Sequence, residues 1–334
     1  MSVNLNDLTP LEWRRALTDD LPELFGLLAA IATFDDASQR WSLEELRERH
    51  AAGAEENGAG SPIMVGFDET SPVAVGWNTS IPGSDPGVRL DGAVHPAYRH
   101  QGIGRALLRW QMAVARASHA RSAPGQDLRM LGFSDATLTG KRHLYEWQGL
   151  SPTRWFIDMM CRFPPARPVA EYLATPALGI DFRPLVPELV EATRAAHNEA
   201  FAARFGSREL GPEDWAASLR RDGARADLSW LAVDEYGRVV GYALNSELRQ
   251  SGTSGLGWTD RLGVRPSHRG RSIARILLAR SLASFHQAGL EGGGIGLDSV
   301  DGRGTDLYRL FGYEATDTII QYELVDPSVT KGGV

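Results

Sequence analysis

Arg99, Gly102 and Gly104 stand together in VHPAYRHQGIGRALL (94–108), where an alternating run gives way to a helical pattern. A helix that starts there leaves several backbone N–H groups without intrahelical partners, and their dipoles point out of the helix start. Glycine removes the side chains that would hold a ligand away from the backbone. The chemistry on offer is anion binding, and a phosphate or pyrophosphate fits such a junction. The pattern returns as VRPSHRGRSIARILL (264–278), beginning at 264 against 94, an offset of 170 residues. No Lys-Ser/Thr pair follows the second glycine, so this is not a Walker loop, and the spacing is too short for the Rossmann fingerprint. GGGIG (292–296) is a weak dinucleotide lookalike and reads as a helix-to-strand turn.

The elements that must position these junctions run in the same order twice. At 334 residues the chain is long for one core. The Pro-rich stretch FPPARPVAEYLATPALGI (163–180) reads as a linker. The expected domains are therefore 1–163 and 181–326, joined by 164–180 and followed by a tail, 327–334. Each half opens with a helix-period stretch, LPELFGLLAAIA (21–32) or LVPELVEATRAAHNEAF (185–201), and a second helix, SLEELRERHAAG (42–53) or GPEDWAASLRRDG (211–223). A hairpin pattern follows, PIMVGFDETSPVAVGWNTS (62–80) or SWLAVDEYGRVVGYALNSEL (229–248). The strands VRLDGAV (88–94) and WTDRLGV (258–264) then lead into the two junctions.

Beyond the junctions come helices that must lie on a sheet. Ile103, Ala106, Leu107, Trp110, Val114 and Ala117 share one face of the first, and Ile273, Leu277, Leu282 and Phe285 trace a looser stripe on the second. Further strands follow, RMLGF (129–133) and GIGLDSV (294–300). Each half ends with a short tyrosine-bearing helix, HLYEWQGL or DLYRLFGY, and a last strand, RWFIDMMCRF or IIQYELV. The fold class is α/β with a mixed sheet, repeated twice.

Composition narrows the function. A net charge of −7 without a dense Lys/Arg block argues against a nucleic-acid partner and is compatible with a small cationic substrate. MSVNLNDLTPLEW lacks the basic start and apolar core of a signal peptide, and the best apolar run, 25–34, is too short to span a bilayer. A soluble, cytoplasmic protein with no membrane partner is expected. Cys161 is the single cysteine, so neither an intramolecular disulfide nor a Cys-cluster metal site is available. The eight histidines include no HExxH pairing, and no metal is expected.

Val-x-Pro-x-x-Arg-x-x-Gly-Ile-Gly after a strand, with Leu-Tyr-x-x-x-Gly about forty residues on, resembles the GNAT superfamily of acyl-CoA-dependent N-acyltransferases. The resemblance covers 21–163 and 182–325, and the tandem layout is similar to the two-domain mycothiol-synthase type. It implies two tandem GNAT-like domains, each a mixed, largely antiparallel twisted sheet flanked by helices. It also implies that the motif amides hold the pyrophosphate of acetyl-CoA, the co-substrate. The residues carried over are Arg99, Gln101, Gly102, Ile103, Gly104 and Arg105 in the first half, and Arg269, Arg271, Ser272, Ile273, Ala274 and Arg275 in the second. Val94 and Val264 would offer main-chain groups to the pantetheine arm. Ser272 stands where the family usually has glycine; a negative φ there suits serine, and a positive one costs energy.

The resemblance implies transfer without a covalent acyl-enzyme, with a tyrosine as general acid. Tyr145 and Tyr308, each four residues before a glycine, match it; either could equally serve to pack its helix on the sheet. The base stays open between Asp91, three residues before Val94, and Asp260, four before Val264, which unbroken strand alternation puts on opposite faces. His95, His100 and His268 flank the motifs and take no assigned role. An asparagine common seven residues before the family tyrosine is replaced here by Leu138 and Asp301. The function implied is transfer of acetyl from acetyl-CoA to a primary amine of a small molecule, by direct attack in a ternary complex, with Tyr308 of the second half favoured as the acid. The alternatives are a protein N-terminal or lysine acetyltransferase, and a non-catalytic CoA-binding scaffold or sensor.

Overall fold

The computed structural model describes residues 4–37, 40–54, 61–81, 87–123, 125–164, 169–174, 177–202, 209–248, 255–300 and 304–327. The chain divides into two units, Met1–Trp155 with Ile319–Val334, and Phe156–Thr318. Set beside the expected spans 1–163 and 181–326, this division gives the end of the last strand to the first unit and splits RWFIDMMCRF at its second residue.

In the first unit the elements are β1 (Glu12–Arg15), α1 (Leu21–Phe34), α2 (Leu43–Ala54), β2 (Met64–Asp68), β3 (Ser71–Ile81), β4 (Gly87–Val94), α3 (Ile103–Ser122), β5 (Leu128–Asp135), α4 (Thr139–Trp147) and the opening of β6 (Ser151–Arg162). The strands order β1-β2-β3-β4-β5, then residues 319–326 of the final strand, then β6. The β1–β4 pairs are antiparallel and β4–β5 is parallel. Alternation along β3 decides which helix lies where. Val75 and Trp77 pack with Leu24, Leu28 and Ile31 of α1, while Ala74 packs with Ile103, Ala106 and Leu107 of α3 on the other face. α3 lies close because Gly76 has no side chain: a Cβ there would sit 2.8 Å from Leu107. Ser42 and Glu45 close the start of α2 with reciprocal bonds of 3.1 and 2.7 Å, a capping box.

The second unit carries the rest of β6, α5 (Val169–Leu173), β7 (Ile180–Pro184), α6 (Val190–Phe201), α7 (Pro212–Leu219), β8 (Trp230–Asp234), β9 (Val239–Leu248), β10 (Leu256–Val264), α8 (Ile273–Gln287), β11 (Gly292–Ser299), α9 (Asp306–Arg309) and the first part of β12 (Glu314–Asp326). Its strands order β12-β6-β11-β10-β9-β8-β7. Leu231, Val233, Tyr242 and Leu244 face Ala196 of α6 and Trp215 of α7, and Ala232, Val240 and Ala243 face Ile273 and Leu277 of α8. Each unit is thus a mixed, largely antiparallel sheet between helices, as the family resemblance implies.

Several local expectations change. GGGIG is not a helix-to-strand turn but the start of β11, and the turn lies earlier, at Gly289 with φ +75°. Its glycines serve close packing: a Cβ on Gly293 would meet Leu282 at 2.6 Å, and one on Gly294 would meet the Trp258 ring at 2.3 Å. The segment read as a plain linker contains α5, which packs against α8. The buried face of α3 leaves the expected stripe after Leu107, passing to Leu108, Met112 and Ala115 over Leu128 and Met130 of β5, so Ala117 is exposed. β1 and β7, edge strands of four and five residues, were not marked by the sequence pattern. No helix among the described residues is long and apolar enough to cross a membrane, and no group of three or more His, Cys, Asp or Glu among them is placed to hold a metal ion.

Candidate functional site

Both helix-start junctions form, with nearly the same backbone. The hydrogen-bonded ladder of α3 begins with Ala106 N–H donating to Gly102 O at 3.0 Å, and that of α8 with Ile276 N–H donating to Ser272 O at 3.1 Å. The amides of Ile103, Gly104 and Arg105, and of Ile273, Ala274 and Arg275, therefore precede their ladders and remain available to an anion. Each loop needs two left-handed residues. The first unit has His100 at φ +64° and Gly102 at +84°; the second has Gly270 at +78° and Ser272 at +60°. Glycine has changed places between the two positions and the loop geometry has survived. The positive φ settles the condition on Ser272: the residue is strained by about 1 kcal/mol, yet the amides after it are presented as in the first loop.

Gly104 has ordinary φ, and a Cβ there would rest 3.4 Å from Leu144 and 3.8 Å from Val94, ordinary contact. Ala274 fits the equivalent place for that reason. Ile103 and Ile273, each 1 % exposed, anchor the helix starts in the core. The backbone thus fits a pyrophosphate such as that of acetyl-CoA in both units.

The arginines of the motif are committed differently from one another. Arg99 donates to Val94 O at 3.0 Å and makes a bidentate pair with Asp35 at 2.6 and 2.8 Å. Arg269 donates to Val264 O at 3.3 Å and to Ala200 O at 2.7 Å. These two brace the loop against the helices that precede it, and they hold the carbonyls of Val94 and Val264. Gln101 donates to Ala97 O at 3.2 Å, and Arg271 to Leu178 O at 2.8 Å. Arg105 and Arg275 are exposed, Arg105 lying 5.3 Å over the Trp147 ring.

Near each loop the parallel pairing is short. The parallel ladder of β4 and β5 joins Val88 and Arg89 to Met130 and Leu131, and that of β10 and β11 joins residues 257–259 to 293–295. Beyond these pairs the parallel ladders stop short of the loops. Here the units part company. In β4 the register with β3 is unbroken from Gly87 to Val94. In β10 it skips a residue: Thr259 faces Asn245, Arg261 faces Leu244, and Asp260 is left over as a bulge. A bulge turns two successive side chains to one side, so Asp260 and Arg261 both line a cleft of about 320 Å3 together with Ser218, Arg221, Arg225 and Trp258. The expectation that Asp91 and Asp260 occupy opposite faces rested on unbroken alternation, which the bulge removes. By register Asp91, opposite Trp77, corresponds to Arg261, opposite Leu244, and Asp260 has no counterpart in the first unit.

Asp260 accepts from Ser246 Oγ at 3.0 Å and pairs with Arg221. Asp91 accepts from Arg89 Nε at 2.8 Å. Beside Asp91 the half-buried Lys141 of α4 stands 5.9 Å from the Tyr145 ring; burial pushes its pKa below the usual value, partly offset by Asp91. Lys141 carries no signal in the sequence beyond its place one turn before Tyr145.

The two tyrosines are both nearly buried, Tyr145 at 3 % and Tyr308 at 8 % exposure. The Tyr145 hydroxyl donates to Phe133 O at 3.4 Å, and its ring stacks at a tilt on Tyr322. Tyr308 meets Tyr313 edge to face, and its hydroxyl has no hydrogen-bond partner among the described residues. Burial raises both phenols, Tyr308 to about 12. Across the sheet, His197 Nδ1 lies 2.5 Å from the Tyr242 hydroxyl, and burial with the nearby Arg261 lowers its pKa to about 4. His95 caps its own turn by accepting from Ala97 N–H at 3.3 Å; Leu138 precedes α4 as its N-cap, and Asp301 lies outside the described residues.

Known proteins share this plan. The model of the acetyltransferase (GNAT) family matches residues 17–125 and again 190–313. Mycothiol acetyltransferase of Salinispora arenicola is 27 % identical over 340 residues, covering 96 % of this chain and 99 % of that protein. Its namesake from Pseudarthrobacter chlorophenolicus is 27 % identical over 235 residues, 70 % of this chain and 69 % of the relative. Among solved structures, a GCN5-related N-acetyltransferase from Sphaerobacter thermophilus superposes with a TM-score of 0.67 at 22 % identity, covering 94 % and 95 % of the two chains. A tandem GNAT protein from the clavulanic acid biosynthesis pathway gives 0.58 at 16 % identity, covering 95 % and 99 %. These two structures share the fold. The double family match falls on the two loop-bearing halves and spans more than half the chain: the protein belongs to the GNAT family and is an acyl-CoA-dependent acetyltransferase.

Proposed function

We propose that the second unit transfers the acetyl group of acetyl-CoA to a primary amine of a small molecule, in the cytoplasm, and that the first unit keeps a nucleotide-holding loop without chemistry of its own. The observation that carries this reading is the bulge at Asp260, which opens a polar cleft on the strand that leads into the second loop. The mycothiol acetyltransferases named above support a small-molecule amine as acceptor.

The amides of Ile273, Ala274 and Arg275 would hold the pyrophosphate, and the stretch of β10 and β11 beyond their parallel pairs would take the pantetheine arm. The acceptor nitrogen attacks the thioester carbon, a C–N bond forms, and the C–S bond breaks. The thiolate is the leaving group and needs a donor. Tyr308 is suited to that part because its hydroxyl has no partner among the described residues and, raised to about 12, stays protonated at neutral pH. Asp260, held by Arg221 and Ser246, would take the proton from the amine.

Thiol release from acetyl-CoA in the presence of a panel of small primary amines tests the reading. Turnover that Asp260→Asn reduces at saturating acetyl-CoA is the expected result. Acetylation of peptide N-termini or lysines in preference to every small amine would replace the acceptor class, and tight acetyl-CoA binding with no acceptor at all would leave a binding module.

A further inference from the structure

The cleft beside the bulge is lined by three arginines and one aspartate, in a chain whose net charge is −7. Two of the arginines are neutralised. Arg225 holds Asp227 at 2.9 and 2.7 Å and also pairs with Glu247. Arg221 pairs with Asp260 and reaches Ser246 Oγ at 3.3 Å. Arg261 has neither. Its guanidinium donates to the neutral Ser218 Oγ at 3.2 Å and lies 5.2 Å over the ring of Trp215, and no carboxylate among the described residues is within ion-pair distance. It is half-buried, and burial pushes its pKa down, Arg221 adding to the effect while Tyr242 and Asp260 oppose it.

Resting on the reading above, we infer that the acceptor amine carries an anionic oxygen group, a carboxylate or a phosphate, which Arg261 binds while Asp260 receives the amine. The bulge places opposite charges on adjacent residues facing one cleft, which is complementary to a small zwitterion. Trp215 and Ser218 hold the guanidinium in place before any ligand arrives, so little side-chain freedom is lost on binding. A guanidinium and an oxyanion make paired charge-assisted hydrogen bonds.

The anion is not the pyrophosphate of the co-substrate. Arg261 faces Leu244 across the ladder, on the side of the sheet covered by α6 and α7, whereas α8 and its loop lie on the Val240 and Ala243 side. Nor is an arginine required by the strand, because the first unit has Asp91 at the same register.

The test compares matched pairs: α-amino acids against their carboxamides, and O-phosphoethanolamine against ethanolamine. For the wild-type protein we expect kcat/KM by thiol release to be at least about 10-fold higher for the anionic member of a pair, the pair that responds telling carboxylate from phosphate. Arg261→Gln should raise KM for the anionic amine about 10- to 100-fold and bring the pair together. Equal rates within every pair, a preference for the neutral member, or a preference that survives Arg261→Gln would overturn the inference. Saturation-transfer NMR with the same pairs reads binding without turnover. If no amine releases thiol, the function proposed above fails, while selective binding of the anionic members, lost in Arg261→Gln, still upholds the anion site and its absence still refutes it.

Discussion

The Tyr145 hydroxyl donates to the main-chain oxygen of Phe133 at 3.4 Å, and the Tyr145 ring closes over Gly132 so tightly that a Cβ there would sit 2.7 Å from it. Tyr145 is part of the packing of α4 on β5. Tyr308 holds the corresponding place in the second unit, and its hydroxyl has no partner among the described residues. We expect Tyr308→Phe to lower kcat about 10²-fold or more, the size of a positioned proton donor, and Tyr145→Phe to change it less than about 3-fold while lowering the melting temperature slightly. Thiol release at saturating acetyl-CoA measures both. A large loss confined to Tyr145→Phe would move the chemistry to the first unit.

Ser272 sits at φ +60° and His100 at +64°, each two residues from a glycine that carries the other left-handed angle of its loop. Ser272→Gly should therefore stabilise the protein by about 1 kcal/mol, a rise of a few degrees in melting temperature for a unit of this size, without weakening acetyl-CoA binding. Gly102→Glu should abolish binding to the first loop, since it adds bulk and negative charge in front of the amides of 103–105. Calorimetric titration with acetyl-CoA separates the two loops: one site lost in Gly102→Glu is expected, and unchanged stoichiometry would mean that the first loop holds no nucleotide.

Much of this was legible in the residues, and the limits have physical causes. The junctions could be read because helix starts and glycines are local signals, and their repetition fixed the tandem order. The bulge could not, since it depends on how β10 pairs with β9. Lys141 and Arg261 acquire meaning only from neighbours distant in sequence. The roles of Arg99 and Arg269 as braces were hidden for the same reason, because Asp35 and the carbonyl of Ala200 are more than sixty residues away.

Lys141 gives a prediction about pH. Its folded-state pKa lies below the unfolded value of about 10.4, so between the two the unfolded chain binds the extra proton, and stability rises with pH across that window. Below that window the burden of the buried ammonium is present in full. Lys141→Met should raise the denaturation midpoint at pH 7 and flatten the alkaline rise in stability. A midpoint lowered by the substitution would show that Asp91 and the ammonium form a pair that the first unit needs.

The last strand decides what happens when the chain is cut. From the order of elements alone, cleavage between Pro165 and Pro168 should leave two pieces that fold separately. Residues 319–326 of β12, however, pair along the whole of β5, from Asp135 to Leu128, and bury Ile320 and Tyr322 in the core that contains Tyr145 and Met130. Arg129 pairs with Glu323 at 2.6 Å, and Arg142 donates to the Tyr322 hydroxyl at 3.1 Å. A fragment of residues 1–163 loses all of this and exposes the edge of β5, an open strand with apolar neighbours that invites self-association. We therefore expect the 1–163 fragment to aggregate or to unfold without cooperativity, and a fragment in which residues 314–327 are fused after a short flexible linker to recover a cooperative transition. Circular dichroism and size-exclusion chromatography read the outcome. A monomeric, cooperatively folding 1–163 fragment would show that β12 is dispensable to the first unit.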